Sequence, residues 1–225
     1  MKRILAASLA VMLVGCGVGY RTSTSEVSYA GWDEGNGRWS FVIAGADPAS
    51  FQELGGGYAR DAKRVYRNGL VIEHADAATF QRIGGAYWRD RQRVFLNGTV
   101  VRQADPATFR ILDLGMSWGR DARDVYFGTT PVGVVDLATF EIVRDHWARD
   151  SVHYYNDIGP TNFYKVVCDR ASFVIINRAY AKDKDRAYWG GKPIEDADLA
   201  TFESAGQYGA KDARGSFTGA TRYGR

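Results

Sequence analysis

The 225-residue chain is poor in the residues that usually announce a chemistry. It has two cysteines, three histidines and five prolines. Two thiols are too few for a disulfide-stapled scaffold. His146 and His153 flank Asp150 at a spacing that matches no zinc pattern. Neither sign of charge dominates: 29 Lys and Arg stand against 26 Asp and Glu. A protein that neutralises many phosphates carries a basic face or a high net charge, so nucleic acid is not expected as a partner. No apolar run reaches the about 20 residues that cross a bilayer as a helix. "GGGY" at 55–58 lacks the Gly-Lys-Ser/Thr ending of a phosphate loop, and no serine sits in a nucleophile elbow. The carboxylates are mostly single and lie beside basic neighbours, whereas calcium requires several in one loop. These absences argue against an enzyme and against a metal, and no cofactor is expected.

What is abundant is glycine, at 26 residues, within a composition that is 45% apolar and 13% aromatic. That balance excludes disorder and points to short strands and turns. The N-terminus has its own pattern. Lys2 and Arg3 precede an apolar run from Ile4 to Val14, too short to span a membrane but suited to a signal-peptide core. Leu13-Val14-Gly15-Cys16 resembles the bacterial lipobox. The resemblance implies that residues 1–15 are a lipoprotein signal peptide and that the mature chain begins at Cys16, whose thiol carries diacylglycerol. In Gram-negative bacteria Gly17, rather than Asp, after that cysteine favours the outer membrane, facing the periplasm. Without Lys2 and Arg3, 27 basic residues remain against 26 acidic ones. Residues 16–28 are small and polar and are expected to form a flexible tether. With Cys16 lipidated, Cys168 has no partner for an intramolecular disulfide.

Beyond the tether, over residues 29–225, the sequence repeats itself. The tetrad Asp-x-Ala-Ser/Thr-Phe ends at Phe51, Phe80, Phe109, Phe140, Phe173 and Phe202. A second signature, a basic residue followed by Asp, places Asp61, Asp90, Asp121, Asp150, Asp183 and Asp212. The period is 29 residues apart from small insertions, giving five full units with half-units at both ends. Each tetrad reads as one helical turn: Asp caps it, Pro48 and Pro106 occupy the first helical position, and Phe staples back onto the small residue before the cap. Cys168 occupies that small-residue position, which marks it as a core residue and not a nucleophile. Five residues after each basic-Asp signature stands Tyr or Phe, at Tyr66, Phe95, Tyr126, Tyr155, Tyr188 and Phe217. Asn68-Gly69 and Asn97-Gly98, set between strand-like runs, are signals of a type I′ hairpin. The signature Asp falls where one strand turns into the next, a place for an Asx-turn, with its basic neighbour a solvated partner worth about 0 to 1 kcal/mol.

These residues resemble the DKNYYY repeat family of bacterial secreted and lipid-anchored proteins, most closely in "AKDKDRAYWGGKPIEDADLATF" at 181–202, with paired aromatics in "RDSVHYYN" at 149–156. The resemblance carries no activity with it. The expected fold is mainly β: tandem units of about 29 residues, each a β-hairpin plus one-turn helix, stacked as an elongated or curved array, with a propeller-like ring as the alternative. The fourth unit breaks the rhythm within "NDIGPTNFYKVVC", so His153, Tyr154, Phe163 and Tyr164 are candidates for a contact patch. Two functions remain open: a lipid-anchored interaction or scaffold module that meets another envelope protein, and a module that stacks exposed aromatics on peptidoglycan sugars.

Overall fold

A computed structural model describes residues 17–113, 115, 117–144, 146–158 and 163–223. The leader 1–15 and Cys16 lie outside the described residues. The chain divides into two compact units, Met1–Ala78 and Thr79–Arg225. Among the described residues there are strands and turns and no helix. The strands form seven small antiparallel sheets in chain order, one of three strands followed by six of four strands. The second sheet is typical. Its strands Gln52–Gly55, Tyr58–Arg60, Val65–Arg67 and Leu70–Val71 pair only with their sequence neighbours.

The expected hairpin is present as part of this meander. Asn68 and Gly69 have φ of 50° and 80°, and Asn97 and Gly98 have 51° and 82°. Both central residues of a type I′ turn need positive φ, which Asn tolerates and Gly adopts freely. The turns are flanked by the pairs Arg67↔Leu70 and Leu96↔Thr99. Strands of two to four residues make a four-stranded sheet fit inside one repeat.

The one-turn helix is corrected to a β-turn. In the first tetrad the Ser50 N–H donates to the Asp47 carbonyl at 3.3 Å, and Thr139 to Asp136 and Thr201 to Asp198 repeat the bond. Asp at the first position and Pro at the second suit a type I turn as well as they suit a helix start. The residue after Phe enters a strand at once, as Gln52 does, so the costly helical nucleus is never extended. The flexible tether is corrected too. Gly19–Thr22 pairs with Val27–Asp33, because Tyr20 and Val27 are buried and the Tyr20 hydroxyl donates to the Gly57 carbonyl at 2.9 Å.

The core is built from the aromatics of the repeat. In the first unit Tyr29 of the first sheet and Tyr66 of the second share one cluster with Ala46 and Phe51. Within Thr79–Arg225 each cluster joins one sheet to the next. Tyr87 and Phe109 meet Tyr126, Trp118 meets Tyr155, Trp147 meets Tyr188, and Tyr180 and Phe202 meet Phe217. Burial of each such ring contributes about 1.5–3 kcal/mol. The tetrad Phe packs with the small residue before its cap, as the staple requires: Ala104 with Phe109, Cys168 with Phe173, Ala197 with Phe202. Burial pushes the Cys168 thiol up to about 11, so it is protonated and inert at neutral pH.

The signature Asp is the fastener of the unit. All six are buried, with Asp150 only 1% exposed. One carboxylate oxygen closes the Asx-turn: Asp150 Oδ1 accepts from the N–H of Val152 at 2.7 Å and of His153 at 2.6 Å. The other reaches back to the preceding tetrad. Asp150 Oδ2 accepts the Asp136 N–H at 3.1 Å, as Asp61, Asp121, Asp183 and Asp212 accept from Asp47, Asp105, Asp169 and Asp198. The aromatic five residues on completes the site when it is Tyr: the hydroxyls of Tyr66, Tyr126, Tyr155 and Tyr188 donate to the same oxygen at 2.5 to 2.8 Å. Where Phe217 leaves no hydroxyl, Arg222 reaches Asp212 with its two terminal guanidinium nitrogens and lies over the Phe217 ring.

The tetrad hydroxyl returns the contact. In all six units Ser or Thr accepts the N–H of the residue after the signature Asp, from Ala62 to Ser50 at 3.0 Å through Ala213 to Thr201 at 2.9 Å. The basic neighbour is the expected solvated ion-pair partner at Arg149, with Glu141, and at Lys211, with Glu203, but in three other units it serves a carbonyl instead. Arg60 donates to the Ala77 carbonyl, Arg89 to Pro106 and Lys182 to Leu199, each 17 residues on, at 2.8 to 3.0 Å. The carbonyls of the next tetrad turn would otherwise lack donors, and a long cationic side chain supplies them.

Two predictions follow from the cradle. Asp150→Ala strands four backbone N–H groups, those of Val135, Asp136, Val152 and His153, and a tyrosine hydroxyl, each costing about 1–3 kcal/mol when buried. Urea unfolding is expected to show a loss of about 4 kcal/mol, against about 1 kcal/mol for Tyr155→Phe. The pH dependence is two-sided. Burial raises the carboxyls of Asp61, Asp121, Asp150 and Asp183, but the N–H and hydroxyl donors outweigh it, and Arg222 leads the same effect at Asp212; all five sit below the ordinary range. Their contribution is whole above the unfolded value of about 4 and is lost as pH falls through the folded values. Burial, then the Asp partner, raises the hydroxyls of Tyr66, Tyr126, Tyr155 and Tyr188. Their contribution is whole below the unfolded value of about 10 and is lost above it. The melting temperature measured by circular dichroism should be flat from about pH 5 to about pH 9 and fall on both sides.

Candidate functional site

Aligning the repeats on the signature Asp sets two further columns side by side. Four residues before it stand Gly57, Ala86, Ser117, His146 and Ala179; seven residues after it stand Asn68, Asn97, Gly128, Asp157 and Gly190. These are partners in space. The N–H of the later residue donates to the carbonyl of the earlier one in all five, at 2.7 Å from Asn68 to Gly57, 3.0 Å from Asp157 to His146 and at most 3.2 Å, from Asn97 to Ala86. The fifth sheet alone carries an ionisable pair at this position.

Within Thr79–Arg225 the hairpin tips of successive sheets line one cavity of about 580 Å³. Asn97 and Thr99 come from the third sheet, Ser117 and Thr129 from the fourth, His146 and Asp157 from the fifth, and Arg178 from the turn between the first two strands of the sixth. Leu96 and Phe127 add apolar wall. His146 Nδ1 makes a short contact with Asp157 Oδ1. The Asp157 side chain is fully buried and that of His146 is 17% exposed. Burial raises the Asp157 carboxyl to about 6, against the pull of His146. His146 Nε2, Asp157 Oδ2 and Arg178 Nε are buried without a hydrogen-bond partner among the described residues. Buried polar atoms left open cost about 1–3 kcal/mol each, and these three belong to residues that line the cavity. Ser117 shares the cavity, and among the described residues no hydroxyl reaches His146 Nε2.

The four residues of the expected contact patch are not gathered on a surface. Tyr154 is buried and stacks on Phe173 with centroids 4.2 Å apart. Phe163 packs against Trp118 and Tyr155 in the cluster that joins the fourth and fifth sheets. Tyr164 lies below Lys192, and the backbone N–H of His153 serves the Asp150 cradle. Cys16 lies outside the described residues. Among those residues no group of His, Cys, Asp and Glu gathers to hold a metal, and no helix is long and apolar enough to cross a membrane. His146 was weighed in sequence only as a metal ligand; its partner Asp157 became visible once the two columns were set in register.

The sequence model of the DKNYY family matches residues 7–99 and 87–220, and the chain belongs to that family. No curated protein and no solved structure matches it.

His146→Ala leaves the Asp157 carboxylate buried and unpaired. The variant is expected to lose about 3–5 kcal/mol at pH 7 and distinctly less at pH 5, where Asp157 is largely protonated, in paired urea titrations.

Proposed function

We propose that this protein is a non-enzymatic, lipid-anchored module of the bacterial cell envelope, held at Cys16 and facing the periplasm from the outer membrane in a Gram-negative host. Its repeats stack as an elongated or gently curved array, and another envelope protein docks along the hairpin tips. One observation carries this reading: a cavity spans the tips of four successive sheets and is lined by His146, Asp157 and Arg178, each with a buried polar atom that has no hydrogen-bond partner among the described residues. The repeated carboxylates support it from the other side, since each already accepts backbone N–H groups of its own turn. The peptidoglycan alternative loses support, because the rings at the repeat positions, such as Tyr66, Phe95, Tyr126 and Tyr155, are buried and offer no face to a sugar.

A photo-crosslinking residue at Thr129, in the cavity, should capture one discrete protein in intact envelopes, while the same residue at the exposed Val143 should not. Equal labelling at both positions, or none at Thr129, contradicts the proposal.

A further inference from the structure

The first sheet has an outer face that the core does not use. Side chains of paired residues share a face, so Gly19, Ala30 and Ser40 lie together, with Arg21, Ser28 and Val42 on one side and Trp32 and Arg38 on the other. The opposite face carries Tyr20, Val27 and Tyr29 into the core. On the outer face Trp32 is 58% exposed and Val42 55%, and Val18, just before the first strand, is 64% exposed. Val18, Arg21, Trp32, Arg38 and Ser40 line a shallow basin of about 280 Å³ with Ala30 as its floor. Large exposed tryptophans are uncommon in a chain whose Trp88, Trp118 and Trp147 are all buried.

We propose that this face rests on the headgroup layer of an anionic bilayer, with Trp32 at the boundary of the acyl chains and Arg21 and Arg38 against lipid phosphates. The combination of indole, arginine and small apolar side chains is what a membrane interface selects. Position decides the occupant. Cys16 is the residue next to Gly17, which itself lines the basin, and each residue reaches at most about 3.6 Å. A lipid on Cys16 therefore holds this basin within about 10 Å of the bilayer before any other partner is met. The charges agree. The carboxylate at the far end of the hairpin, Asp33, is taken up by the N–H groups of Gly35 and Asn36 and by Trp39 Nε1 at 2.7 to 3.0 Å, with Glu34 beyond it in the turn. The inference rests on the lipid-anchor reading of Cys16.

The test uses the full chain, purified from membranes and reconstituted into phosphatidylcholine vesicles with and without phosphatidylglycerol, with bromine high on the acyl chains as quencher. Tryptophan emission should be quenched, more strongly with phosphatidylglycerol, and Trp32→Phe should remove most of the quenching while leaving the near-ultraviolet circular dichroism unchanged. Joint replacement of Arg21 and Arg38 by Ser should abolish the dependence on phosphatidylglycerol, each arginine being worth about fivefold in affinity for an anionic surface. The mass of the N-terminal peptide reads the anchor separately. Quenching through Trp32 on a chain without lipid on Cys16 sustains the interfacial face and removes the anchor. Lipid on Cys16 with equal fractional quenching of wild type and Trp32→Phe overturns the proposal. A response of Trp32 to soluble peptidoglycan fragments and not to brominated lipid also overturns it.

Discussion

Each unit of this chain depends on a buried carboxylate that accepts backbone N–H groups from two places at once. A short meander of two- to four-residue strands has too little ladder to hold itself, and its turns expose many donors. The signature Asp collects those donors. One oxygen ties the turn that follows it and the other ties the tetrad before it, with a tyrosine hydroxyl added in four units. Ionised carboxylates are costly to bury, and several directed N–H donors are what make the burial affordable.

The same geometry explains how the units join. Once the carboxylate fixes the turn, the aromatic beside it points inward and the tetrad Phe packs on it, as Phe109 does on Tyr126 and Phe202 on Phe217. Hydroxyl and indole groups then reach the next sheet: Tyr87 donates to the Ser117 carbonyl at 2.7 Å and Trp147 to Asn177 at 2.9 Å. Neighbouring sheets in Thr79–Arg225 thus share both apolar contact and hydrogen bonds. The hairpin tips lie outside this core, which frees their side chains to vary between units, and there the His146–Asp157 pair is found.

Much of this was legible in sequence because it repeats. The period, the Asn-Gly hairpins, the Asx-turn at the signature Asp, the staple and the core role of Cys168 all follow from residue types that recur at fixed offsets. The tetrad was misread as helix because Asp, Pro and Ser/Thr begin a type I turn and a helix with the same letters, and only the path after Phe separates them. The ion-pair reading of the basic neighbour fits Arg149 and Lys211 but misses Arg60, Arg89 and Lys182, whose acceptor lies 17 residues on, a distance no local rule covers. Residues 16–28 read as a tether because their polar letters hide Tyr20 and Val27, whose burial depends on the second sheet. The cavity was hidden for a related reason: it is made of positions that do not repeat in type, and their nearness follows only from register.

The claim that a backbone-held carboxylate organises every unit is tested most directly by carboxyl carbon NMR, following the aspartates singly while the protein is acidified. The expected result is that Asp61, Asp121, Asp150, Asp183 and Asp212 keep the shift of an ionised carboxylate below the ordinary aspartate value of about 3.9 and change only as the chain unfolds. Titration of these five near that ordinary value, with the folded spectrum intact, would contradict it.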